Sequence, residues 1–228
     1  MPQSRPDPAE FVDFMVRAGV LTFGDFVGKS GRHMPYFVNA GRYRTGAHIA
    51  TLGRWYADTL VATWGDGFDV LFGPAYKGIP LVVTTAMALH ERHGIDVGFC
   101  FNRKEAKDHG EGGVLVGHEL ADGDRVVIVE DVTTAGTSIR ETVPILRAAA
   151  AVHLVGLIVS VDRAERGTRD DITALAEVGD EFGIPTTSIV DIDTIVEVLR
   201  GRTVDGNVVL GDDDLSRIAD YRARYGVA

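Results

Sequence analysis

The chain has 228 residues, of which 45% are hydrophobic and 25% charged, a composition typical of a folded globular protein. Its formal net charge of −10 argues against a dominant nucleic-acid-binding surface, because such a surface needs a basic face. The single cysteine, Cys100, excludes an intrachain disulfide and a cysteine-cluster metal site. The sequence contains neither a signal-peptide core nor the roughly 18 consecutive apolar residues of a membrane span. We therefore expect a cytoplasmic protein that binds neither nucleic acid nor a membrane.

The N-terminal segment is predicted to contain one helix and one β-hairpin. Asp7 is a favourable helix N-cap, because Pro8 follows at the first helical position and Glu10 stands at the third. Further along, two extended runs that contain aromatic residues flank residues 29–32, which is typical of a hairpin. We expect a single domain that spans residues 1–228, in which residues 1–44 contribute a small hood over the rest.

From residue 45 onward, predicted helices alternate with strands rich in valine and isoleucine. The predicted strands are 69–74, 96–102, 113–117, 125–131, 152–162 and 186–191. The predicted helices are 45–64, 79–93, 137–151, 171–182, 192–200 and 212–226, and a polar loop is expected at 103–113. This alternation predicts an α/β fold with a mostly parallel central sheet that is covered by helices on both faces.

The segment VVIVEDVTTAGTSIRE, residues 126–141, is a hydrophobic strand that ends in Glu130 and Asp131. Burying carboxylates is costly unless something pairs with them. The small and hydroxyl residues that follow would let backbone N–H groups converge on an anion at the start of a helix. The acids suit a vicinal diol and the lysine-free loop suits a phosphate monoester, so the segment predicts a ribose 5-phosphate site. The alternative is an ordinary strand–turn–helix connection with capping hydroxyls.

Two other phosphate motifs are rejected. The segment GDFVGKS, residues 24–30, has three residues between its glycines where a nucleoside-triphosphate P-loop has four, and an extended run follows it where that motif needs a helix. No dinucleotide fingerprint follows any predicted strand.

The signature at 126–141 resembles the phosphoribosyl-pyrophosphate signature of type I phosphoribosyltransferases. Together with KSGRHMPYFVNAG, GPAYKGIPL, FNRKEAKDHGEGG and SVDRAERG, it is similar to the orotate phosphoribosyltransferase family over residues 20–200. The resemblance implies a type I phosphoribosyltransferase fold and transfer of the phosphoribosyl group from phosphoribosyl pyrophosphate (PRPP) to orotate, with Mg2+ as cofactor. The products are orotidine 5′-monophosphate and pyrophosphate, in the de novo pathway to UMP.

The resemblance also implies roles for residues that bind PRPP. Glu130 and Asp131 hold the ribose hydroxyls, and the loop after them holds the 5′-phosphate through Val132, Thr133, Thr134, Ala135, Gly136, Thr137 and Ser138. Tyr76 and Lys77 face the pyrophosphate, beside a cis peptide bond at Ala75–Tyr76. On the residues alone, the segment around Lys77 is also compatible with a turn that exposes a lysine.

Residues 103–113 are implied to form a lid that closes over the pyrophosphate and excludes water. Arg103 and Lys104 would bind pyrophosphate oxygens. Lys107 and His109 would reach into the neighbouring subunit's site and share the catalytic roles with Glu130 and Asp131, so that a homodimer is expected. Without the resemblance, a charged loop of this kind is as well explained by simple solvation.

The residues implied to bind orotate are Lys29, which also lies near PRPP, and Phe37, Val38, Thr134 and Arg163. Arg163 would pair with the carboxylate of orotate through its planar guanidinium group. Two alternatives stay open: core packing for Phe37, and an ion pair with Asp162 or Glu165 for Arg163.

The chain departs from the family pattern at two positions, since many relatives have aspartate at position 130 and an aromatic residue at position 38. Glutamate keeps the charge but is one methylene longer, and valine weakens the case for stacking on the base. Two other functions share this fold: purine salvage, which needs a different base pocket, and nucleotide binding by a non-catalytic regulator.

Overall fold

The computed structural model describes residues 5–28, 31–107, 113–133 and 136–227, with side chains for all of these except 105–107 and 113. The N-terminal part contains helix α1 (Pro8–Arg17), the hairpin strands β1 (Leu21–Val27) and β2 (His33–Val38), and a short 3-10 helix (Ala40–Arg42). Asp7 caps α1 as predicted, because its side chain accepts a hydrogen bond from the amide of Ala9 at 2.9 Å.

Helices and strands then alternate as the sequence predicts. The strands are β3 (Val70–Gly73), β4 (Gly98–Lys107), β5 (Gly113–Gly117), β6 (Arg125–Val129), β7 (His153–Asp162) and β8 (Thr186–Asp191). The helices are α2 (Gly46–Trp64), α3 (Gly78–His93), α4 (Thr137–Ala149), α5 (Ala174–Phe182) and α6 (Ile192–Leu199). A small hairpin of β9 (Thr203–Val204) and β10 (Asn207–Val208) precedes α7 (Asp212–Tyr225).

Within the described residues, six strands form the central sheet in the order β5-β4-β3-β6-β7-β8. All neighbouring pairs are parallel except β4 and β5, which confirms the predicted mostly parallel sheet. The chain moves from β3 outward to β4 on one side, and from β6 outward to β7 on the other. The carboxyl ends of β3 and β6 therefore flank a topological switch point, which is where ligands bind in such sheets.

Alternate residues along each central strand belong to different cores. Leu71 and Val127 pack in a core with α1, α2, α3 and α6, whereas Phe72 and Ile128 pack in a second core with α4 and α5. Successive side chains of a strand point to opposite faces of the sheet, and helices cover both faces, so the strands are apolar on both faces. This alternation fixes the register of β3 and β6, and with it the positions of the loops that follow them.

Several predicted boundaries are wrong. The predicted polar loop at 103–113 begins as strand, since β4 continues to Lys107 and pairs antiparallel with β5 at the sheet edge. Helix α5 begins at Ala174 and not at 171, because the hydroxyl of Thr173 accepts from the amide of Ala176 and caps it there. The short hairpin at 203–208 was not predicted.

No helix in the described part of the chain is long and apolar enough to cross a membrane.

The contact between α2 and α3 depends on a glycine, and we predict that Gly53→Ala destabilises the protein. A methyl group at Gly53 would lie 2.6 Å from the carbonyl oxygen of Thr84 on α3, so the helices must separate. Overpacking of this kind costs about 1–3 kcal/mol in the free energy of unfolding, measured by urea denaturation. Gly46→Ala is the matched control, because it lies in the same helix and a methyl group there meets nothing within 4 Å. Equal stability of the two variants would contradict the prediction.

Candidate active site

The two acids predicted to bind a sugar lie directly after β6 and are buried. Glu130 is 6% exposed and Asp131 is 8% exposed. Their backbone is held from two sides, since the hydroxyl of Tyr56 on α2 donates to the carbonyl oxygen of Glu130 at 2.7 Å. The hydroxyl of Ser160 on β7 donates to the carbonyl oxygen of Asp131 at 2.6 Å. Two neighbouring elements thus fix the peptide units that carry the acids.

The two carboxylates have different surroundings. Asp131 Oδ2 lies 2.7 Å from the Nζ atom of Lys77, so this acid is paired with a cation from the loop after β3. Glu130 Oε1 instead accepts from the backbone amide of Asp131 at 3.0 Å. Burial, followed by repulsion from the Asp131 carboxylate, raises the pKa of Glu130 to about 7. Ordinary strand–turn–helix connections do not need two buried acids, so this geometry favours a binding site.

The loop after the acids leads into the N-terminus of α4. The hydroxyl of Thr133 accepts from the amide of Gly136 at 3.1 Å, which closes the turn. Gly136 has φ of +67°, and a methyl group there would lie 2.1 Å from Val178, so only glycine fits. Among the described residues, no side chain caps the first turn of α4. The amides of Ile139 and Arg140 donate to the carbonyl oxygen of Gly136, and the N-terminus of the helix is the kind of place where an anion binds, as the signature predicts.

The loop after β3 brings Lys77 to the acids. The peptide bond between Ala75 and Tyr76 is cis, as the resemblance implies. The amide of Ala75 donates to the buried side chain of Asn102 on β4 at 2.8 Å. The Lys77 side chain is 65% exposed, yet it is anchored by Asp131, so an unattached turn lysine is the poorer interpretation.

A cavity of about 710 Å³ lies between this edge of the sheet and the N-terminal hairpin. It brings together six of the predicted site residues, namely Phe37, Val38, Lys77, Asp131, Val132 and Arg163. Phe37 is 40% exposed, so it does not belong to the buried core, and its ring stacks on that of Phe26 with centroids 5.6 Å apart. Residues far apart in the sequence thus form one concave surface.

Arg163 lies at the end of β7 and forms the ion pair that was weighed as an alternative. Its Nη2 atom donates to the carboxylate of Glu165 and lies 3.1 Å from the sulfur of Met34. Asp162, the other possible partner, accepts instead from the amide of Ala164 at 2.8 Å. The pairing does not exclude a ligand, because Arg163 also lines the cavity.

The other predicted site residues are placed less completely. Lys29, His109, Thr134 and Ala135 lie outside the described residues, and so does the side chain of Lys107. Lys104 on β4 lies 3.8 Å from Glu141 on α4, measured from Nζ to Oε2. Arg103 also lies on β4, and Thr137 and Ser138 form the first turn of α4. Glu130 and Tyr76 do not line the cavity, and the Tyr76 side chain is largely exposed.

Three residues that support the site were missed by sequence reasoning: Tyr56, Asn102 and Ser160. Asn102 had a visible signal, since it is a polar residue at the carboxyl end of a predicted strand. Tyr56 and Ser160 had none, because an apolar helix face and a buried strand explain them equally well.

Fold and site together define a phosphoribosyl transferase domain, and the model of the family described by that name matches residues 43–186. Orotate phosphoribosyltransferase of Clostridium acetobutylicum is 52% identical over 96% of this chain and 97% of its own. That of Lachnoclostridium phytofermentans is 55% identical over 96% of both chains. The crystal structure of orotate phosphoribosyltransferase from Francisella tularensis superposes with a TM-score of 0.81 at 35% identity, covering 95% of this chain and 99% of that one.

The chain belongs to the orotate phosphoribosyltransferase family. It is an enzyme that transfers the phosphoribosyl group of PRPP to orotate in pyrimidine biosynthesis. The alternatives of a purine-salvage enzyme and of a non-catalytic regulator are not favoured by these similarities.

The raised pKa of Glu130 predicts a pH-dependent effect of Glu130→Gln on stability. Between the ordinary value of 4.5 and about 7, the folded chain binds this proton more tightly than the unfolded chain does, so wild-type stability falls as the pH rises through that window. Glutamine cannot ionise. We expect the free energy of unfolding of the variant, relative to wild type, to rise by on the order of 1–3 kcal/mol across the window.

Urea denaturation at several pH values measures this difference. Glu119→Gln is the control, because Glu119 is exposed. For this variant, the free energy of unfolding relative to wild type should not change with pH. If the free energy of unfolding of Glu130→Gln relative to wild type also stayed constant with pH, the raised pKa of Glu130 would be contradicted.

Proposed function

We propose that the cavity holds PRPP along the carboxyl ends of β3 and β6 and holds orotate against Arg163 and the hairpin. The observation that carries the proposal is that one cavity is lined by Asp131, Lys77 and Arg163. A carboxylate suited to a diol, a cation suited to a phosphate and a guanidinium suited to a carboxylate thus face a single space.

On the PRPP side, Asp131 and Glu130 hold the ribose hydroxyls, and residues 132–138 hold the 5′-phosphate. The start of α4 at Thr137 supports this role, because the N-terminus of a helix attracts anions. Lys77 directly follows the cis peptide bond in the loop after β3, and its ammonium group contacts Asp131. The ammonium group can therefore move from Asp131 to an incoming pyrophosphate. The proposed PRPP ligands are completed by Lys29, Tyr76, Arg103, Lys104, Lys107 and His109.

On the orotate side, Arg163 pairs with the carboxylate of the base, while Phe37 and Val38 cover the pyrimidine ring. The exposed face of Phe37 and its stacking on Phe26 support this role, since a ring held by a neighbour offers a fixed surface. Lys29 and Thr134 complete the proposed orotate site.

In the reaction, the bond from the anomeric carbon to the pyrophosphate oxygen breaks while a ring nitrogen of orotate attacks that carbon. Positive charge develops on the sugar and negative charge on the leaving pyrophosphate. The buried acids stabilise the first and the cations of the lid and Lys77 neutralise the second. The protein contributes orientation, charge and exclusion of water, and no covalent intermediate with the chain is needed.

Mg2+ is the proposed cofactor, and the residues present fit it. Carboxylate oxygens are preferred ligands of this ion, and Asp131 presents one at the cavity beside the expected position of the ribose. When bound, magnesium would neutralise charge on the pyrophosphate, with the substrate supplying most of its ligands.

The quaternary structure and location are also proposals. By family resemblance, the enzyme is a cytoplasmic homodimer in which Lys107 and His109 of each lid serve the partner's site. The backbone of β4 supports the proposal for the lid of residues 103–113, since the strand carries the chain from the site edge at Asn102 to Lys107. The assignment of residues 1–228 to one domain with a hood of 1–44 stays a prediction.

The proposed function predicts which base is used. Enzyme, magnesium and PRPP are mixed with orotate, uracil, adenine, hypoxanthine or guanine, and pyrophosphate release is followed. We expect release with orotate alone, and its loss when EDTA removes the magnesium. Release with a purine would contradict the orotate assignment, and no release with any base would favour a regulator.

The role of Arg163 predicts that Arg163→Ala raises the KM for orotate by roughly 10-fold or more, because a charge-assisted hydrogen bond is lost. The KM for PRPP should change by less than about two-fold, since Lys77 and the acids are intact. Arg163→Lys is the matched variant, because it keeps the charge but loses the planar fork, and should give an intermediate value. A change confined to the KM for PRPP would show that the assignment is wrong.

A further inference from the structure

Beside Arg163 lies a cluster that the proposed roles do not use, and its members Arg32, Tyr36 and Glu165 line the same cavity. Its centre is Glu165, which is 8% exposed. The carboxylate accepts from Tyr221 at 2.9 Å and from Tyr36 at 3.3 Å through Oε1, and from Arg32 at 3.1 Å through Oε2. Arg163 donates to the same Oε1 atom. A carboxylate offers about four acceptor positions, so this one is fully occupied.

The cluster is assembled from three parts of the chain. Tyr36 and Arg32 belong to the hairpin segment, Arg163 and Glu165 follow β7, and Tyr221 lies on α7. The hydroxyl of Tyr221 links the two side chains, because it donates to Glu165 and lies 3.4 Å from Arg163 Nη2. Burial raises the pKa of both tyrosines, so their hydroxyls stay protonated and can donate at neutral pH.

The charges of the cluster match the substrate. Two guanidinium groups and one carboxylate leave one net positive charge, which suits a ligand with a single carboxylate. The Nη2 end of Arg163 is fixed to Glu165, and Nε has no partner among the described residues. The guanidinium group is therefore oriented at one end, while Arg163 still lines the cavity that would hold the ligand.

We propose that Glu165 and Tyr221 are positioning residues for Arg163, through which helix α7 braces the orotate subsite. The inference rests on the proposed function, since it needs Arg163 to bind orotate. It assigns a role in base binding to the C-terminal helix, which lies beyond the residues 43–186 that the family model matches.

Two variants test the proposal by steady-state kinetics. Glu165→Gln places an amide NH₂ among four donors and removes the charge that holds Arg163, so the KM for orotate should rise roughly 10-fold. Tyr221→Phe removes one hydroxyl and keeps the ring, so it should raise that KM roughly 5-fold without loss of folding. In both, the KM for PRPP and kcat should stay within about two-fold of wild type. A merely structural role would lower stability without separating the two KM values.

Tyr225→Phe is the matched control on the same helix, because the hydroxyl of Tyr225 donates to no residue that the structure describes. It should leave the KM for orotate unchanged.

A double-mutant cycle with Arg163→Ala decides whether the effect passes through Arg163. When Tyr221→Phe is added to the Arg163→Ala variant, the KM for orotate should change by less than about two-fold, since there is no guanidinium group left to position. If the fold-changes in the KM for orotate of the two single variants multiplied in the double variant, the proposal would be overturned. It would also be overturned if Arg163→Ala raised this KM and Tyr221→Phe left it unchanged. If Arg163→Ala itself has no effect on orotate, the proposed role of Arg163 fails first and the inference fails with it.

Discussion

The site depends on the burial of two adjacent carboxylates at the end of β6. Side by side in a region of low solvent exposure, they repel each other, and each would favour its neutral form unless a partner were supplied. Among the described residues, the cation Lys77 pairs with Asp131, whereas Glu130 accepts only uncharged donors, such as the amide of Asp131, and its pKa is raised. Hydrogen-bond donors favour the ionised form of a carboxylate, so the ribose hydroxyls of the proposed function would lower the pKa of Glu130.

The fold makes this burial possible because it fixes the backbone of the acids before any ligand arrives. Tyr56 and Ser160 donate to two consecutive carbonyl oxygens, and neither donor is close to them in sequence. With the backbone held, Gly136 turns the chain into α4 and directs the helix amides toward the same region. The proposed diol site and the proposed anion site therefore both belong to one strand–turn–helix unit, at the switch point between β3 and β6.

How much of this the sequence predicts depends on whether the interaction is local. The acids, the turn and the start of α4 are consecutive, so their pattern was visible, as were the strand alternation and the Asp7 cap. Asn102, by contrast, acts on Ala75 across 27 positions, and Tyr56 acts on Glu130 across 74, and no spacing rule connects such pairs. The extension of β4 was missed because charged residues at 103–107 indicate a loop, whereas an edge of a sheet tolerates them.

The proposed function divides the chain into groups that would hold the sugar and groups that would support the base. Lys77, Asp131 and Gly136 lie inside the range matched by the general phosphoribosyl transferase model, and they are the groups suited to a phosphorylated sugar. Phe37, Tyr36 and Tyr221 lie outside that range, and they surround or support Arg163. Under the proposed function, the hairpin and α7 would support the base subsite from outside the matched range. Arg163 itself lies inside that range, so its contacts with Glu165 and Tyr221 would link these flanking elements to the sheet that is proposed to hold the sugar.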